Sequence, residues 1–245
     1  MIYAMIADIH SNIEALKVVI KQIQGSGVDR TICLGDIVGY GPNPKECIEL
    51  IKTLPDVEVI LGNHDAAVIN KTEIKDFNEY AKQAIEINKG LLTEEDKEYL
   101  TTLKEKHTET DILFVHGSPR DPLNEYLLTM KKLQENIELF NEKICFGGHT
   151  HLPLVYSRSG SGEDHIENPE DNQEFKLLED RKYIINVGSV GQPRDGDNRA
   201  CFVYYDTSEN KITYCRLKYD IESVQKKMKN LQLPKFLINR LSEGK

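Results

Sequence analysis

Short apolar runs, each ending in a polar cluster, organise the chain: IYAMIAD (2–8), TICLGD (31–36), VEVILGNHD (57–65), DILFVHG (111–117), KICFGGHTH (143–151) and YIINVGS (183–189). Continuous β-branched and aromatic runs of this length read as strands buried on both faces. Between the first three runs the period changes. In NIEALKVVIKQIQ (12–24), Ile13, Leu16, Val19, Ile20 and Ile23 keep helical spacing, Ser11 or Asn12 can cap the start, and Gly25 supplies a stop. A second helix is predicted from Pro44 through Leu54, with proline near its first turn. This β-α-β-α-β opening predicts a layered α/β domain, and the later runs are spaced as a second sheet facing the first.

Residues 76–106 interrupt the pattern with helical character. In LTEEDKEYL, Thr93 is placed as a cap three residues before Asp96, which predicts a helical insertion covering one edge of the site. The polar, acidic stretch 157–174 reads as a solvent loop or as a hairpin with a mobile tip. The tail, 220–243, reads as two short helices separated near Leu233–Pro234. No internal repeat is visible, and the expectation is one domain over 1–245 that includes the insertion and the tail.

Composition narrows the class. With 245 residues, 39% hydrophobic and 29% charged, the chain is long enough for a full core and does not read as disordered. Thirty-one basic against 40 acidic residues leave a formal charge of −9. That balance excludes a broad basic face for duplex nucleic acid or an anionic membrane, but not a small, locally positive site. No apolar run approaches the roughly 20 residues that span a bilayer. The start, MIYAMIADIHSN, has no basic n-region and soon meets Asp8 and His10, so a cytoplasmic protein without a signal peptide is expected. The 5 cysteines are widely spaced and form no CxxC pair, which suggests neither a disulfide framework nor a thiolate zinc site. Cys33, Cys145 and Cys201 lie inside apolar runs and read as buried, inert thiols.

The histidines carry the chemistry. Of the 7, His10, His64, His116, His149 and His151 follow predicted buried strands with Asp, Asn or Gly beside them, whereas His107 and His165 lie in polar segments and read as surface residues. Ligands in open α/β sheets collect at the carboxyl ends of strands, so these clusters are expected to converge on one rim. Alone, Asp8-x-His10 is a weak signal, and Gly35-Asp36 reads equally as a turn. Asn63-His64-Asp65 behind Gly62 is harder to explain as packing. His116 before Gly117 could be a satisfied core histidine. His149 and His151, two residues apart behind a Gly pair, suit metal ligation. Together, in this order and all at strand ends, they outweigh the packing explanation.

In this order the motifs D-x-H, G-D, G-N-H-D, H-G and G-H-T-H resemble those of the calcineurin-like metallophosphoesterases, over Met1 to about Asp206. Within that family the stretches GDIVGYGPNP (35–44) and NVGSVGQPRDGDNRACFVYYD (186–206) look most similar to small bacterial and archaeal phosphodiesterases and dinucleoside-tetraphosphate hydrolases. The resemblance implies a four-layered α/β/β/α sandwich of two facing mixed sheets, in agreement with the two-sheet reading. It implies two divalent metals bridged by Asp36, with Asp8, His10 and His151 completing one site and Asn63, His116 and His149 the other. His64 would stand beside them as the catalytic group that protonates the leaving oxygen. One departure stands out: where the protein Ser/Thr phosphatase branch has G-D-x-x-D-R-G, the later Asp and Arg are Gly39 and Tyr40 here. This weakens the protein phosphatase reading and leaves the partner that orients His64 open, Asp65 being adjacent.

The implied chemistry is coherent. A two-metal site can hold a bridging hydroxide and clamp phosphoryl oxygens, and two carboxylates against two divalent cations leave a net positive centre in an acidic protein. Oxygen and imidazole donors without thiolate favour Mn, Fe or Zn, with Mn expected first. The ligating imidazoles must be neutral, whereas His64, as an acid, must be protonated near neutral pH. Outside the metals, Asn12 is expected either to contact phosphate or to cap its helix. Arg194 is expected to bind phosphate or to pair with Asp195 or Asp197, and Tyr40 to stack on a base or to sit in a surface loop. The functional expectation is hydrolysis of a phosphodiester or of a nucleotide phosphoanhydride such as diadenosine tetraphosphate. The alternatives are a phosphomonoesterase or protein phosphatase, and a non-catalytic metal-binding scaffold of the same fold.

Overall fold

The computed structural model describes residues 1–245, the side chain of Asp76 excepted. The chain opens with β1 (Ile2–Ile6), α1 (Ile13–Gln24), β2 (Arg30–Cys33), α2 (Pro44–Lys52), β3 (Val57–Val59) and α3 (Asn63–Val68). The insertion supplies α4 (Glu79–Leu91) and α5 (Glu94–Thr101) before β4 (Lys106–Glu109), β5 (Ile112–Val115), α6 (Met130–Asn136) and β6 (Ile144–Gly147). There follow β7 (Leu154–Ser159), β8 (Asp164–Glu167), β9 (Glu174–Lys176), β10 (Arg181–Asn186), β11 (Ala200–Asp206), β12 (Lys211–Leu217), α7 (Ile221–Asn230) and α8 (Lys235–Glu243).

The strands form two 6-stranded mixed sheets, β3-β2-β1-β11-β12-β9 and β4-β5-β6-β10-β7-β8. The period-two alternation of the buried strands explains how they stack. In β1, Tyr3 and Met5 face the second sheet, whereas Ala4 and Ile6 face the layer of α1 and α2. In β5 and β6, Ile112, Phe114, Ile144 and Phe146 complete the core between the sheets, and Leu113, Val115 and Cys145 pack against Leu133 and Ile137 around α6. The apolar runs are therefore continuous because each strand has a hydrophobic layer on both sides. The helical layers outside the sheets complete the α/β/β/α arrangement.

Local signals explain several boundaries. Asn12, rather than Ser11, caps α1: its side chain accepts from the N–H of Ala15 at 3.1 Å, and Gly25 ends the helix. Thr93 and Asp96 form a reciprocal capping box at α5. The stretch 157–174 contains a hairpin, with β7 and β8 paired from Val155↔Glu167 to Arg158↔Asp164. Short polar strands β4, β8 and β9 were not announced by the hydrophobic pattern. Each lies at a sheet edge, where one ladder partner and one apolar layer are missing. Cys33, Cys145 and Cys201 are buried free thiols. Among the described residues no helix is long and apolar enough to cross a membrane.

The parallel pairs β1–β2, β2–β3, β5–β6 and β6–β10 point their carboxyl ends to one rim. The rim is closed by α4 and by the hairpin α7–α8, whose Val224, Met228, Leu237 and Leu241 pack with Ala81, Ala84 and Tyr40.

Candidate metal centre

The turns after β1 and β2 interlock: the N–H of Asp8 donates to Gly35 O at 3.1 Å, that of His10 to Asp36 O at 2.9 Å and that of Ser11 to Ile37 O at 2.9 Å. On these turns and on the one after β6, Asp8 (φ 53°), His10 (49°), Asp36 (54°), His149 (66°) and His151 (60°) lie in the left-handed region. Each such residue costs of order 1–3 kcal/mol and persists only where the surroundings over-determine it. The concentration of strain on these side chains marks the rim as functional.

Seven positions anticipated from sequence come together here, all buried. Potential ligand atoms of Asp8, His10 and His151 lie within 4.8 Å of one another, as do those of Asp36, His116 and His149, and those of His10, Asp36 and His64. Asp36 sits between the first two groups, its Oδ2 3.6 Å from His10 Nε2 and 3.4 Å from His116 Nε2. Asn63, the first residue of α3, places Oδ1 3.1 Å from His116 Nε2. The Gly-Asn-His-Asp cluster is thus a helix start and not only a strand end, with Gly62 as N-cap.

Backbone carbonyls set the imidazole tautomers. A carbonyl can only accept, so the ring protons of His10 and His151 sit on Nδ1 and donate to Val38 O (3.1 Å) and Gln192 O (2.6 Å). Burial drives both rings well below the usual imidazole range, so neither carries a second proton at neutral pH. Their Nε2 atoms nevertheless face each other at 3.0 Å. Two lone pairs at that distance repel, and a cation between them removes the conflict: the donor set fits a metal ion. In the neighbouring group His149 donates from Nε2 to Asn124 O at 3.1 Å, which turns Nδ1 toward His116. Burial opposes charge on His116, but Asp36 outweighs it and raises the ring to about 9. Asp36 itself is pushed upward by burial yet held well below the usual carboxylate range by His116, His64 and His10. Burial raises Asp8 to about 7, with Asp36 adding to the shift. By the protein's own charges, then, one carboxylate and one imidazolium share the middle of the site, where a divalent cation would replace the proton.

His64 stands apart from these pairings. Its ring packs against Tyr40 (4.4 Å between centroids), His10 (4.9 Å) and Phe77 (5.1 Å), and its buried Nδ1 has no hydrogen-bond partner among the described residues. Burial lowers it to about 4, with Asp36 pulling only partly the other way. The protonation near neutral pH expected of this ring is therefore not met by its resting surroundings. Asp65 does not orient it. That carboxylate instead accepts the N–H groups of Val38 (3.0 Å), Gly62 (3.1 Å) and Ile37 (3.3 Å), tying α3 to the turn after β2.

The three outer residues differ in fate. Asn12 uses both ends of its amide within the protein, capping α1 and donating to Gly191 O at 2.8 Å. Tyr40 is buried rather than on a surface loop, 4.6 Å from His10 between centroids. Arg194 does not pair with Asp195 or Asp197, because those carboxylates are taken by Arg216 and Arg199. Its guanidinium lies 5.6 Å from the Tyr40 ring centre and donates to Gln192 Oε1 at 2.8 Å, and its buried Nε has no partner among the described residues.

Sequence reasoning missed two contributors. Asn88, on α4, accepts from Ser11 Oγ (2.6 Å) and the N–H of Gly39 (2.8 Å) and donates to Gly41 O (3.0 Å), so the insertion locks the turns after β1 and β2 together. The signal was a polar residue in phase with Ala81, Ala84 and Ile85 on the buried face of the helix. Tyr126 stacks on His149 with ring centres 3.8 Å apart. With Phe77 and Tyr40 it walls a cleft of about 340 Å³ that opens onto Asn63, His64 and His149.

Comparison with known proteins agrees with this geometry. Residues 1–210 match the calcineurin-like phosphoesterase superfamily domain. An uncharacterized protein of Methanocaldococcus jannaschii is 39% identical, over 99% of this chain and 98% of its own. The crystal structure of a metallophosphoesterase from Sphaerobacter thermophilus superposes with a TM-score of 0.88 at 36% identity, covering 100% of this chain and 99% of that one. A symmetrical bis(5'-nucleosyl)-tetraphosphatase of Psychromonas ingrahamii is 26% identical over 91% of this chain and 70% of its own length. The chain belongs to the calcineurin-like phosphoesterase superfamily and is a phosphoesterase hydrolase.

Proposed function

We propose that the protein hydrolyses a phosphodiester or a nucleotide phosphoanhydride, with diadenosine tetraphosphate as the representative substrate, at a centre of two divalent cations, Mn²⁺ foremost. The observation that carries this reading is the pair of unprotonated imidazole nitrogens of His10 and His151 facing each other beside Asp8, with Asp36 reaching toward the second donor group. Asp8, His10 and His151 would hold one ion, Asn63, His116 and His149 the other, and Asp36 both. Bound there, the ions neutralise charge on the phosphoryl oxygens and supply an activated nucleophile.

The chain's own groups do the remainder. His64, neutral at rest, lies where an anionic phosphoryl group would raise its affinity for a proton, so substrate binding itself prepares the ring to protonate the leaving oxygen. Arg194, without a carboxylate partner among the described residues, binds a phosphoryl oxygen. Tyr40, Phe77 and Tyr126 give the cleft aromatic walls suited to a nucleobase. The relative from Psychromonas ingrahamii, named for its action on nucleosyl tetraphosphates, supports the substrate class. Gly39 and Tyr40, in place of an acid and an arginine, favour this class over protein phosphatase chemistry.

The test is turnover of bis-p-nitrophenyl phosphate and diadenosine tetraphosphate with Mn²⁺, beside p-nitrophenyl phosphate as the monoester. Turnover of the first two that is lost with a chelator and in His64→Ala supports the reading. Activity indifferent to both treatments rejects the mechanism, and preference for the monoester rejects the substrate class. A metal-bound protein inert toward all three returns the scaffold reading.

A further inference from the structure

The tail that closes the rim brings a second guanidinium toward Arg194. Helix α8 lies beyond the residues 1–210 matched by the superfamily domain. Its Leu237, Ile238 and Leu241 pack in one cluster with Tyr40, the residue on which Arg194 rests. The end of the helix is tied to the Arg194 loop by the N–H of Gly196, donating to Gly244 O at 2.8 Å, and by Asn198 Nδ2, donating to Ser242 O at 3.0 Å. Arg240, on this helix, is half-buried with its guanidinium 5.2 Å from the ring centre of Phe236. Its Nε donates to a main-chain oxygen of Lys245, and among the described residues no Asp or Glu side chain pairs with it. Burial first, and then Arg194, lower Arg240 to about 10. Two guanidinium groups near one buried tyrosine, neither paired with a described Asp or Glu side chain, repel each other, and an anion between them relieves that repulsion.

We propose that Arg194 and Arg240, around Tyr40, form a second anion subsite outside the metal centre that takes a further phosphate of an oligophosphate chain. The inference rests on the phosphoesterase reading above and deepens it: the substrate carries several linked phosphates, one over the metal centre and another between the arginines. Arg240 then selects oligophosphates over simple diesters, and the C-terminal hairpin is the part of the chain that confers the selection.

Calorimetric titration of the full chain as purified, with inorganic tripolyphosphate and with orthophosphate, tests this directly. The wild type is expected to prefer tripolyphosphate by about tenfold or more, and Arg240→Gln to lose most of that preference, since removal of one charge-assisted contact corresponds to about a factor of ten. Arg194→Gln should lose it similarly, whereas Arg240→Lys should keep a large part. Equal affinity of the wild type for both anions, or an undiminished preference in folded Arg240→Gln, overturns the subsite. Thermal melting of each variant identifies a folding failure, and in that case the wild-type ratio and Arg240→Lys still decide. If the wild type binds tripolyphosphate as expected yet hydrolyses no phosphate ester with Mn²⁺, the phosphoesterase mechanism fails and the anion subsite stands.

Discussion

A Cβ added to Gly39 would lie 2.4 Å from Nδ1 of His64. Gly39 also has φ +98°, a conformation that side chains rarely adopt. The glycine makes room for the imidazole where another branch of the family carries an acid, and His64 packs among Tyr40, His10 and Phe77 with no carboxylate partner among the described residues. Gly39→Ala should therefore cost about 1–3 kcal/mol through backbone strain and displace the ring. Melting curves read the first effect. For the second, turnover of bis-p-nitrophenyl phosphate should fall roughly 100-fold, as for loss of a proton donor. A double variant with His64→Ala should be no slower than His64→Ala alone. Full additivity would show that Gly39 acts by another route.

His64 belongs to one of the compact donor groups, with His10 and Asp36, so its separation from the ligand set is open to direct measurement. Elemental analysis of His64→Gln should return the wild-type metal content with kcat reduced about 10²- to 10⁴-fold. His116→Gln should lose metal. Metal loss in His64→Gln comparable to that in His116→Gln would make His64 a ligand.

Protonation should control both metal retention and the stability of the chelator-treated protein. Burial places His64 at about 4 and His149 at about 3 and drives His10 and His151 well below the normal range. The unfolded chain thus binds more protons than the folded one below about pH 6.5, and the contribution of these rings is lost as pH falls from there toward 4. Asp8 and Asp65, both raised by burial to about 7, work the other way between about 4 and 7, but the imidazoles outnumber them. His116, raised to about 9 by Asp36 against its burial, contributes below about 6.5 and loses that contribution as pH rises to 9. Chemical denaturation of the stripped protein should accordingly show a maximum near pH 6.5, and bound metal should be released below it. A stability that rises steadily from pH 6.5 down to pH 4 contradicts this assignment.

Asp65 tests whether the site depends on a carboxylate that never touches it. Removing the acceptor in Asp65→Ala leaves the N–H groups of Ile37, Val38 and Gly62 buried and unpaired, at a cost of roughly 3 kcal/mol or more. Asp65→Asn, which keeps one acceptor oxygen, should recover part of that loss in urea denaturation. Equal stability of the Ala and Asn variants would mean the backbone finds other partners.

The sequence by itself determined the strands with two apolar neighbours, because burial on both faces writes an uninterrupted run such as ICFG or ILFV. It determined the start of α1 and α5 through Asn12 and the Thr93–Asp96 pair, since capping is a matter of a few adjacent residues. It also marked the strand ends that carry Asp8, Asp36, His116 and His149, because parallel strands within one sheet end on the same side. Only the tertiary structure decided what those side chains do to one another. The edge strands β4, β8 and β9 took their form from a partner ladder rather than from their own polar residues. Asp65 turned to the backbone of a distant turn, Tyr40 was buried by helices nearly two hundred positions away, and Arg194 lost its adjacent acids to Arg216 and Arg199. Tautomer and charge at His10, His116 and His151 depend on which carbonyl or carboxylate lies within 3 to 4 Å. Such distances arise from packing between elements, and no local pattern of residues encodes them.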